Sequence, residues 1–409
     1  MLQISLTSFI LVSTIAISAA DWPQWRGAKR DGHSDGAAWP ESLDENHLRQ
    51  TWRVELGKSY SGPIVHDGIV FTTESVNDER EAVRAFDLVS GNQKWATDWE
   101  GSIRVPFFAR KNGSWIRSTP ATDGERLFVA GMRDVLLCLD AKTGEEQWRV
   151  DFPKELGAEP PAFGFVCSPL LTGDSVIVQA GASTVRLKKS TGEIVWRSLE
   201  DGGGMNGSAF SSPLLANIGG SEQLLVQTRT ELCGLAPDNG AVLWRQKVPA
   251  FRGMNILTPV VADGRVFTST YGGKSFSYQI SKAGDGQWKS SVAWDLKQQG
   301  YMSTPVVIGG HAYLHLRNKK FACVDLATGQ QRWETKKTFG DYWSLIAQGD
   351  RILALSEDGT LRLIRANPEK FEVISERKVA DRDTWGHIAV SGSKVMVREL
   401  EALTVFDWK

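Results

Sequence analysis

The chain has 409 residues, of which 41% are hydrophobic and 23% are charged, and its formal net charge is −1. This balance is typical of a folded globular protein and excludes a disordered chain. The near-zero charge also argues against a surface for nucleic acid or for an anionic membrane. The 40 glycines and 16 tryptophans indicate many tight turns and many large apolar anchors, as in an all-β repeat protein.

Residues 1–20 are predicted to be a secretory signal peptide. A short apolar run from Ile10 to Ile17 is followed by the small residues Ser18, Ala19 and Ala20, the pattern that precedes signal peptidase cleavage. We therefore expect an exported protein, periplasmic or extracellular. Because no Lys or Arg precedes the run, an uncleaved anchor is the alternative, although the run is short for a membrane span. No Cys follows it for lipid attachment.

Residues 21–49 are predicted to be an extended lead-in, and the repeats that follow occupy residues 50–409. Six segments share a Ser/Thr-rich dipeptide followed by Pro and then by alternating apolar residues. These segments begin at Ser61, Ser118, Cys167, Ser211, Leu257 and Ser303. Five copies of an Asp-x-x-x-Gly-x-x-x-Trp frame accompany them, three complete and two substituted. The frames lie at Asp87/Gly91/Trp95, Asp140/Gly144/Trp148, Lys188/Gly192/Trp196, Ala236/Gly240/Trp244 and Asp325/Gly329/Trp333.

Each copy has the strand pattern of a propeller blade. In the second copy the strands are predicted near Pro120–Thr122, Arg126–Ala130, Val135–Leu139 and Gln147–Val150. Asp140 begins a tight hairpin, in which Gly144 takes the positive-φ position. Four short antiparallel strands in about 45 residues are typical of a blade.

The recurring Trp is predicted to lie against a turn of the next blade, where it covers an exposed strand edge. In the fifth copy both Trp288 and Trp294 could take this position. The spacing to the next Pro favours Trp294, since Trp52 precedes Pro63 by the same interval.

Two further blades are degenerate, and the last is one strand short. The seventh is predicted to have strands at 344–347, 351–355, 361–364 and 371–374. The last has strands at 387–390, 394–398 and 402–406. Gln50–Glu55 has the pattern of an outer strand with no strand before it, so we expect it to complete the last blade. The prediction is an all-β, eight-bladed propeller of four-stranded blades, closed by an N-terminal strand.

The repeat frame resembles the PQQ-like repeat shared by quinoprotein dehydrogenases and by BamB-type outer-membrane assembly proteins. The opening Asp21-Trp22-Pro23-Gln24-Trp25-Arg26-Gly27 is similar to the start of such chains. The resemblance implies the propeller fold, but it does not decide between enzyme and scaffold. Quinoprotein alcohol dehydrogenases are longer and carry adjacent cysteines and a calcium-binding pair, none of which is recognisable here. BamB itself has a lipidated Cys that this chain lacks.

Other candidate sites are weaker. Cys138, Cys167, Cys233 and Cys323 are expected to be buried thiols and not disulfides or metal ligands. His311 and His315 lie too far apart on a strand to chelate one ion. We expect no metal site.

The loops that join consecutive blades gather at one mouth of the central channel and are rich in aromatic and polar residues. We expect a ligand-binding funnel there; the alternative is that these residues only fill the channel. Residues 102–115 form an insertion with Arg104, Arg110 and Lys111, which could cover the mouth or contact a partner; the alternative is a solvated basic loop. The candidate residues are Tyr60, Trp115, Arg117, Phe165, Asn206, Arg252, Asn255, Tyr301, Trp343 and Trp385.

The sequence favours an exported, non-catalytic scaffold that binds a protein, peptide or glycan of the cell envelope, without a cofactor. A monomer is expected. The alternative is a PQQ-dependent dehydrogenase of alcohols or sugars, with calcium and with the quinone stacked against Trp343 or Trp385.

Overall fold

The computed structural model describes residues 21–208 and 210–409, apart from the side chains of residues 111 and 112. The predicted signal peptide lies outside this range. The described chain forms eight four-stranded antiparallel sheets, which confirms the predicted propeller. No helix in the described ranges is long and apolar enough to cross a membrane.

The strands follow one another blade by blade. The first strand, β1 (Leu48–Glu55), precedes all of the blades in the chain. Blade 1 contains β2 (Ile64–His66), β3 (Ile69–Val76), β4 (Arg80–Asp87) and β5 (Gln93–Glu100). Blade 2 contains β6 (Ala121–Thr122), β7 (Arg126–Gly131), β8 (Val135–Asp140) and β9 (Glu146–Asp151). Blade 3 contains β10 (Leu170–Thr172), β11 (Ser175–Ala180), β12 (Ser183–Lys188) and β13 (Ile194–Ser198). Blade 4 contains β14 (Leu214–Ile218), β15 (Ser221–Gln227), β16 (Glu231–Leu235) and β17 (Val242–Lys247).

The second half of the ring repeats this order. Blade 5 contains β18 (Val260–Ala262), β19 (Arg265–Ser269), β20 (Ser275–Lys282) and β21 (Trp288–Leu296). Blade 6 contains β22 (Val306–Ile308), β23 (His311–His315), β24 (Phe321–Asp325) and β25 (Gln331–Glu334). Blade 7 contains β26 (Trp343–Gln348), β27 (Arg351–Ser356), β28 (Thr360–Arg365) and β29 (Glu372–Lys378). Blade 8 contains β30 (Ala389–Ser391), β31 (Lys394–Glu399) and β32 (Ala402–Trp408), with β1 as its outer strand.

In the part of the chain that the structure describes, helical structure lies only in loops. A short helix, α1 (Phe152–Leu156), follows blade 2. Three 3₁₀ turns lie in other inter-blade loops, at Phe107–Asn112, Gly204–Asn206 and Phe251–Gly253.

The ring is closed as the sequence predicts. Strand β1 pairs antiparallel with β32, from Leu48 opposite Trp408 to Glu55 opposite Ala402. The side chain of Arg53 adds an ion pair with Glu399 of β31, at 2.9 Å. The N-terminal strand therefore removes the open edge that blade 8 would otherwise expose.

Among the described residues, rim tryptophans join six of the eight blades to the following blade. Trp95 of blade 1 donates its indole N–H to the backbone oxygen of Ala141 in blade 2, at 3.2 Å. Its ring lies 2.4 Å from the position that a Cβ on Gly144 would take, and Gly144 has φ +77°. The turn therefore needs glycine both for its backbone and for the close approach of the ring. The same indole-to-backbone bond, at 2.8–3.0 Å, is made by Trp52, Trp148, Trp196, Trp294 and Trp333.

Blade 5 uses Trp294, as predicted, since this residue bonds to Leu326 of blade 6. Trp244 of blade 4 differs, because it donates to Gln223 Oε1 in its own blade at 2.7 Å. Blade 5 has a longer β20–β21 hairpin in place of the Asp-x-x-x-Gly turn.

The Ser/Thr-Pro dipeptides form a belt of hydrogen bonds around the channel. In this belt a backbone N–H of one blade donates to a hydroxyl of the next blade, at 2.9–3.2 Å. The donor–acceptor pairs are Gly62–Thr119, Thr119–Ser168, Ser168–Ser212, Ser212–Thr258 and Thr258–Thr304. The direction reverses in the degenerate blades, where Trp343 N–H donates to Ser303 and Ile388 N–H donates to Ser344.

The N-terminal segment plugs one end of the channel. Trp22 forms a β-bridge with Val65 of blade 1. Arg26 donates to the backbone oxygens of Thr304 and Pro305 in blade 6. Arg30 donates to those of Ser168 and Pro169 in blade 3. The segment thus braces opposite sides of the ring.

Candidate ligand-binding face

The mouth face is built by the loops between one blade's outer strand and the next blade's inner strand, together with the hairpins between the second and third strands. These elements meet at the same end of the channel because all blades run in the same sense. The plug closes the channel below them. The result is a shallow funnel with an open mouth and a closed floor.

Aromatic side chains line the funnel. Tyr342 and Trp385 stack with ring centroids 5.4 Å apart and an interplanar angle of 12°. Tyr60 also packs against Trp385, at 5.5 Å, and Trp115 meets Tyr60 edge-on at 5.2 Å. The cavity that Tyr60, Tyr342 and Trp385 line together with Phe210 has a volume of about 140 Å³, enough for a single ring-sized group.

The plug provides the funnel floor. Trp25 faces the cavity, and its ring meets His387 edge-on at 5.8 Å. The guanidinium groups of Arg26 and Arg30 lie 5.6 and 5.5 Å from the Trp25 ring. Burial lowers the pKa of Arg26 to about 10 and that of Arg30 to about 9. Both stay charged at neutral pH, so the floor is positive.

His387 is a neutral hydrogen-bond acceptor in this floor. Burial first, and Arg26 second, lower its pKa to about 3. Its Nδ1 lies 2.9 Å from the backbone oxygen of Ile388, which can only accept, so Nδ1 carries the proton. Nε2 is left with a lone pair and no partner among the described residues.

The ten candidate residues separate into three groups. Tyr60, Arg117 and Trp385 line the funnel, and Trp115 supports them through Tyr60. Asn206, Arg252, Asn255 and Tyr301 belong to the mouth loops outside the cavity: Asn206 and Arg252 are exposed, and Asn255 is buried. Phe165 and Trp343 are fully buried in the blade packing, where Trp343 contacts His315, Phe321 and Phe339.

An aromatic arc follows the rim of the mouth in two arms. In the first arm, Phe107, Phe108, Phe163 and Phe210 are linked in that order by centroid distances of 5.5, 6.2 and 5.7 Å. In the second arm, Phe251, Tyr271 and Tyr301 are linked at 5.8 and 4.6 Å.

The arc is unusually exposed for rings of this size. Phe107, Phe108 and Phe251 are 78%, 53% and 52% exposed. Contiguous exposed apolar surface of this kind marks interaction sites.

Several residues of this face were not predicted. Trp25 belongs to the opening motif, and no periodicity in the sequence indicates that it enters the channel. Phe107 and Phe108 lie in the insertion that was expected to cover the mouth, so their aromatic character was an available signal. Arg229 lies in an ordinary Thr-Arg-Thr hairpin, where nothing in the sequence marks it.

The funnel does not fit a calcium-bound quinone. None of its described lining residues is Asp or Glu, whereas calcium takes oxygen ligands that include carboxylates. The cavity is also below the ~300–1,000 Å³ usual for cofactor pockets. The four cysteines are separate and buried, and Trp343 is inaccessible from the funnel. Among the described residues, no group of three or more His, Cys, Asp and Glu side chains could hold a metal ion.

Comparison with known proteins decides the family. A family profile described as "Outer membrane protein assembly factor BamB" matches residues 79–335, more than half of the chain. The chain belongs to the BamB family. A BamB of Moranella endobia is 22% identical over 359 residues, which cover 83% of this chain and 85% of that protein.

Solved structures agree on the fold. BamB from Moraxella catarrhalis superposes with a TM-score of 0.64 at 15% identity and covers 88% of this chain and 98% of its own. A europium-containing methanol dehydrogenase superposes with a TM-score of 0.53 at 12% identity, covering 94% of this chain and 98% of its own. BamB proteins and quinoprotein dehydrogenases thus share the architecture, which alone does not assign a reaction.

Proposed function

We propose that this protein is an exported, non-catalytic scaffold of the cell envelope that binds a protein partner through its mouth face. The family supports the scaffold role, since the relative from Moranella endobia is named an outer membrane protein assembly factor. Export agrees with the predicted signal peptide.

The aromatic arc is the observation that carries this proposal. Three exposed phenylalanines lie on loops that the rigid ring holds in place, at the end of the channel opposite the plug. A protein interface needs such large apolar anchors at its centre. The funnel offers neither the carboxylates nor the volume that a quinone site requires.

A photo-crosslinking experiment tests the proposal. A photoreactive amino acid replaces Phe107 on the mouth face or, as a matched control, Val89 in the β4–β5 turn on the opposite face; the two residues are 78% and 74% exposed. The full-length protein is expressed in its own cells and irradiated, and envelope fractions are compared. We expect a discrete protein adduct from position 107 only. Equal adducts from both positions, or recovery of the protein from the cytoplasm, would contradict the proposal.

A further inference from the structure

Among the described residues, one arginine of the mouth face is buried and has no carboxylate as a hydrogen-bond partner. Arg229 lies in the hairpin between β15 and β16 and is 8% exposed. Its Nη2 donates to the backbone oxygen of Arg252 at 2.6 Å. Its Nε and Nη1 have no hydrogen-bond partner among the described residues, and its guanidinium carbon lies 5.0 Å from the centre of the Phe210 ring.

Asp201 does not neutralise this cation. Its charge raises the pKa of Arg229 through space, but this effect is smaller than that of burial. Its oxygens instead accept from the backbone N–H groups of Gly203, at 2.9 Å, and Ser208, at 2.8 Å. Burial therefore lowers the pKa of Arg229. A buried cation with unmet donors is costly, and a carboxylate, which guanidinium binds in a two-pronged geometry, would remove that cost.

Arg229 occupies the gap between the two arms of the aromatic arc. It lies over Phe210, the last ring of the first arm. Through its bond to Arg252 it also contacts the residue next to Phe251, the first ring of the second arm. Apolar surface therefore extends from Arg229 in both directions along the rim. A chain terminus would use only one arm, whereas an acidic side chain within a longer segment uses both.

The charge of the loop that carries Phe107 and Phe108, at the far end of the first arm, supports an acidic partner. Residues 101–120 contain Arg104, Arg110, Lys111 and Arg117 and no Asp or Glu. Arg104 and Arg110 are exposed. Like charges on the rim of a face attract a partner of the opposite sign.

We propose that the mouth face binds an extended segment of a partner protein in which an internal Asp or Glu, flanked by aromatic or aliphatic residues, places its carboxylate on Arg229. The flanking side chains lie on the two arms of the arc. This inference rests on the proposed function, because it names the part of the protein partner that is recognised.

Defined peptides test the recognition. The probes are fluorescent, N-acetylated and C-amidated heptapeptides with a central Glu flanked by Phe and Leu, and matched peptides with a central Gln. Their binding to the full chain is measured by fluorescence anisotropy. We expect the wild-type protein to bind the Glu peptides about 10- to 100-fold more tightly than the Gln peptides. This is the difference in affinity that a hydrogen bond to a charged group typically provides. Arg229→Met should abolish this preference, and the matched variant Arg104→Met should retain it.

Three results would overturn the inference. They are the absence of a Glu preference in the wild-type protein, its persistence in Arg229→Met, and an equal loss in Arg104→Met. Binding of the wild-type protein to anionic phospholipid vesicles that Arg229→Met abolishes would assign the residue to a membrane surface and also overturn it.

Thermal unfolding separates a binding role from a structural one. Because Arg229→Met removes an unpaired buried charge, we expect an unchanged or higher Tm. A clearly lower Tm would show that Arg229 serves as a brace for Arg252 and Phe210, and would contradict the inference. If crosslinking at Phe107 succeeds while the Glu preference is absent, only this inference falls and the scaffold function stands.

Discussion

Replacement of Trp95 tests how strongly the blades are joined. Trp95 is 9% exposed, packs 5.8 Å from Phe71 and bonds to Ala141 of the next blade. A buried Trp→Ala change costs about 3–5 kcal/mol. Trp95→Phe keeps most of the apolar contact but leaves the Ala141 oxygen without its donor, which costs about 1–3 kcal/mol. We therefore expect graded destabilisation, with Ala worse than Phe.

Calorimetry of the full chain measures the effect. The unfolding entropy near 60 °C is about 2.1 cal/mol/K per residue, so for 409 residues each kcal/mol lowers Tm by roughly 1 °C. Trp95→Ala should lower Tm by about 4–6 °C and Trp95→Phe by about 1–3 °C. Trp288→Ala is the control, since Trp288 is only partly buried and should cost about 1 °C. If Trp288→Ala costs as much as Trp95→Ala, or if Phe and Ala are equivalent at position 95, the joint is not what stabilises the ring.

Three further predictions concern turns, pH and the funnel. Gly144→Ala should lower Tm more than Gly68→Ala, because both glycines have positive φ but only Gly144 lies under an indole ring. Equal decreases in Tm would mean that backbone strain alone destabilises both variants and that contact with the ring adds nothing. Burial raises the pKa of Glu81 and of Asp134 to about 7, so the folded state takes up protons between about pH 4 and 7 and stability falls as pH rises through that window. Tm should therefore decrease from pH 5 to pH 8, and it should decrease less in Glu81→Gln. The same dependence of Tm on pH in the variant and the wild-type protein would show that Glu81 does not cause the decrease. Protein mixed with PQQ and calcium should lose all quinone absorbance on desalting, and a retained chromophore would restore the dehydrogenase hypothesis.

The ring could be predicted from the sequence because its signals are local. The Asp140–Gly144 hairpin depends on Asp140 Oδ1 accepting from the N–H groups of Lys142 and Thr143, at 2.9 and 2.8 Å. Such turn chemistry lies within a few residues of the chain. Repetition of the Ser/Thr-Pro segment and of the turn located six blades, and the strand pattern of the remaining segments indicated the other two.

The floor of the channel could not be predicted, because its contacts are distant in sequence. Arg30 bonds to Ser168 across 138 residues, and Arg26 bonds to Thr304 across 278. Residues 21–36 have no strand or helix period that would indicate a position inside a ring. A buried Arg also has no sequence signal when its partners are backbone oxygens.

The alternating direction of side chains along the extended segments that lead into the inner strands decides which aromatic residues reach the funnel. Tyr342 lines the cavity, whereas the next residue, Trp343, points into the blade packing. Val166 and Phe165 show the same alternation, with Val166 in the funnel and Phe165 buried. Successive side chains on an extended backbone face opposite sides. The segment could be located from the sequence, but a shift of one residue changes the face.

Closure of blade 8 has a consequence for how the chain reaches its native state. The Trp408 indole bonds to the Ser42 oxygen across 366 residues, and the pairing of β1 with β32 spans a similar interval. Contacts so far apart in sequence form slowly, because the loop-closure entropy is lost before they stabilise anything. Until the last strand is in place, β1 and β32 each present an unpaired edge to neighbouring molecules. A chaperone that shields these two edges would therefore act at the step where aggregation competes most directly with assembly of the ring.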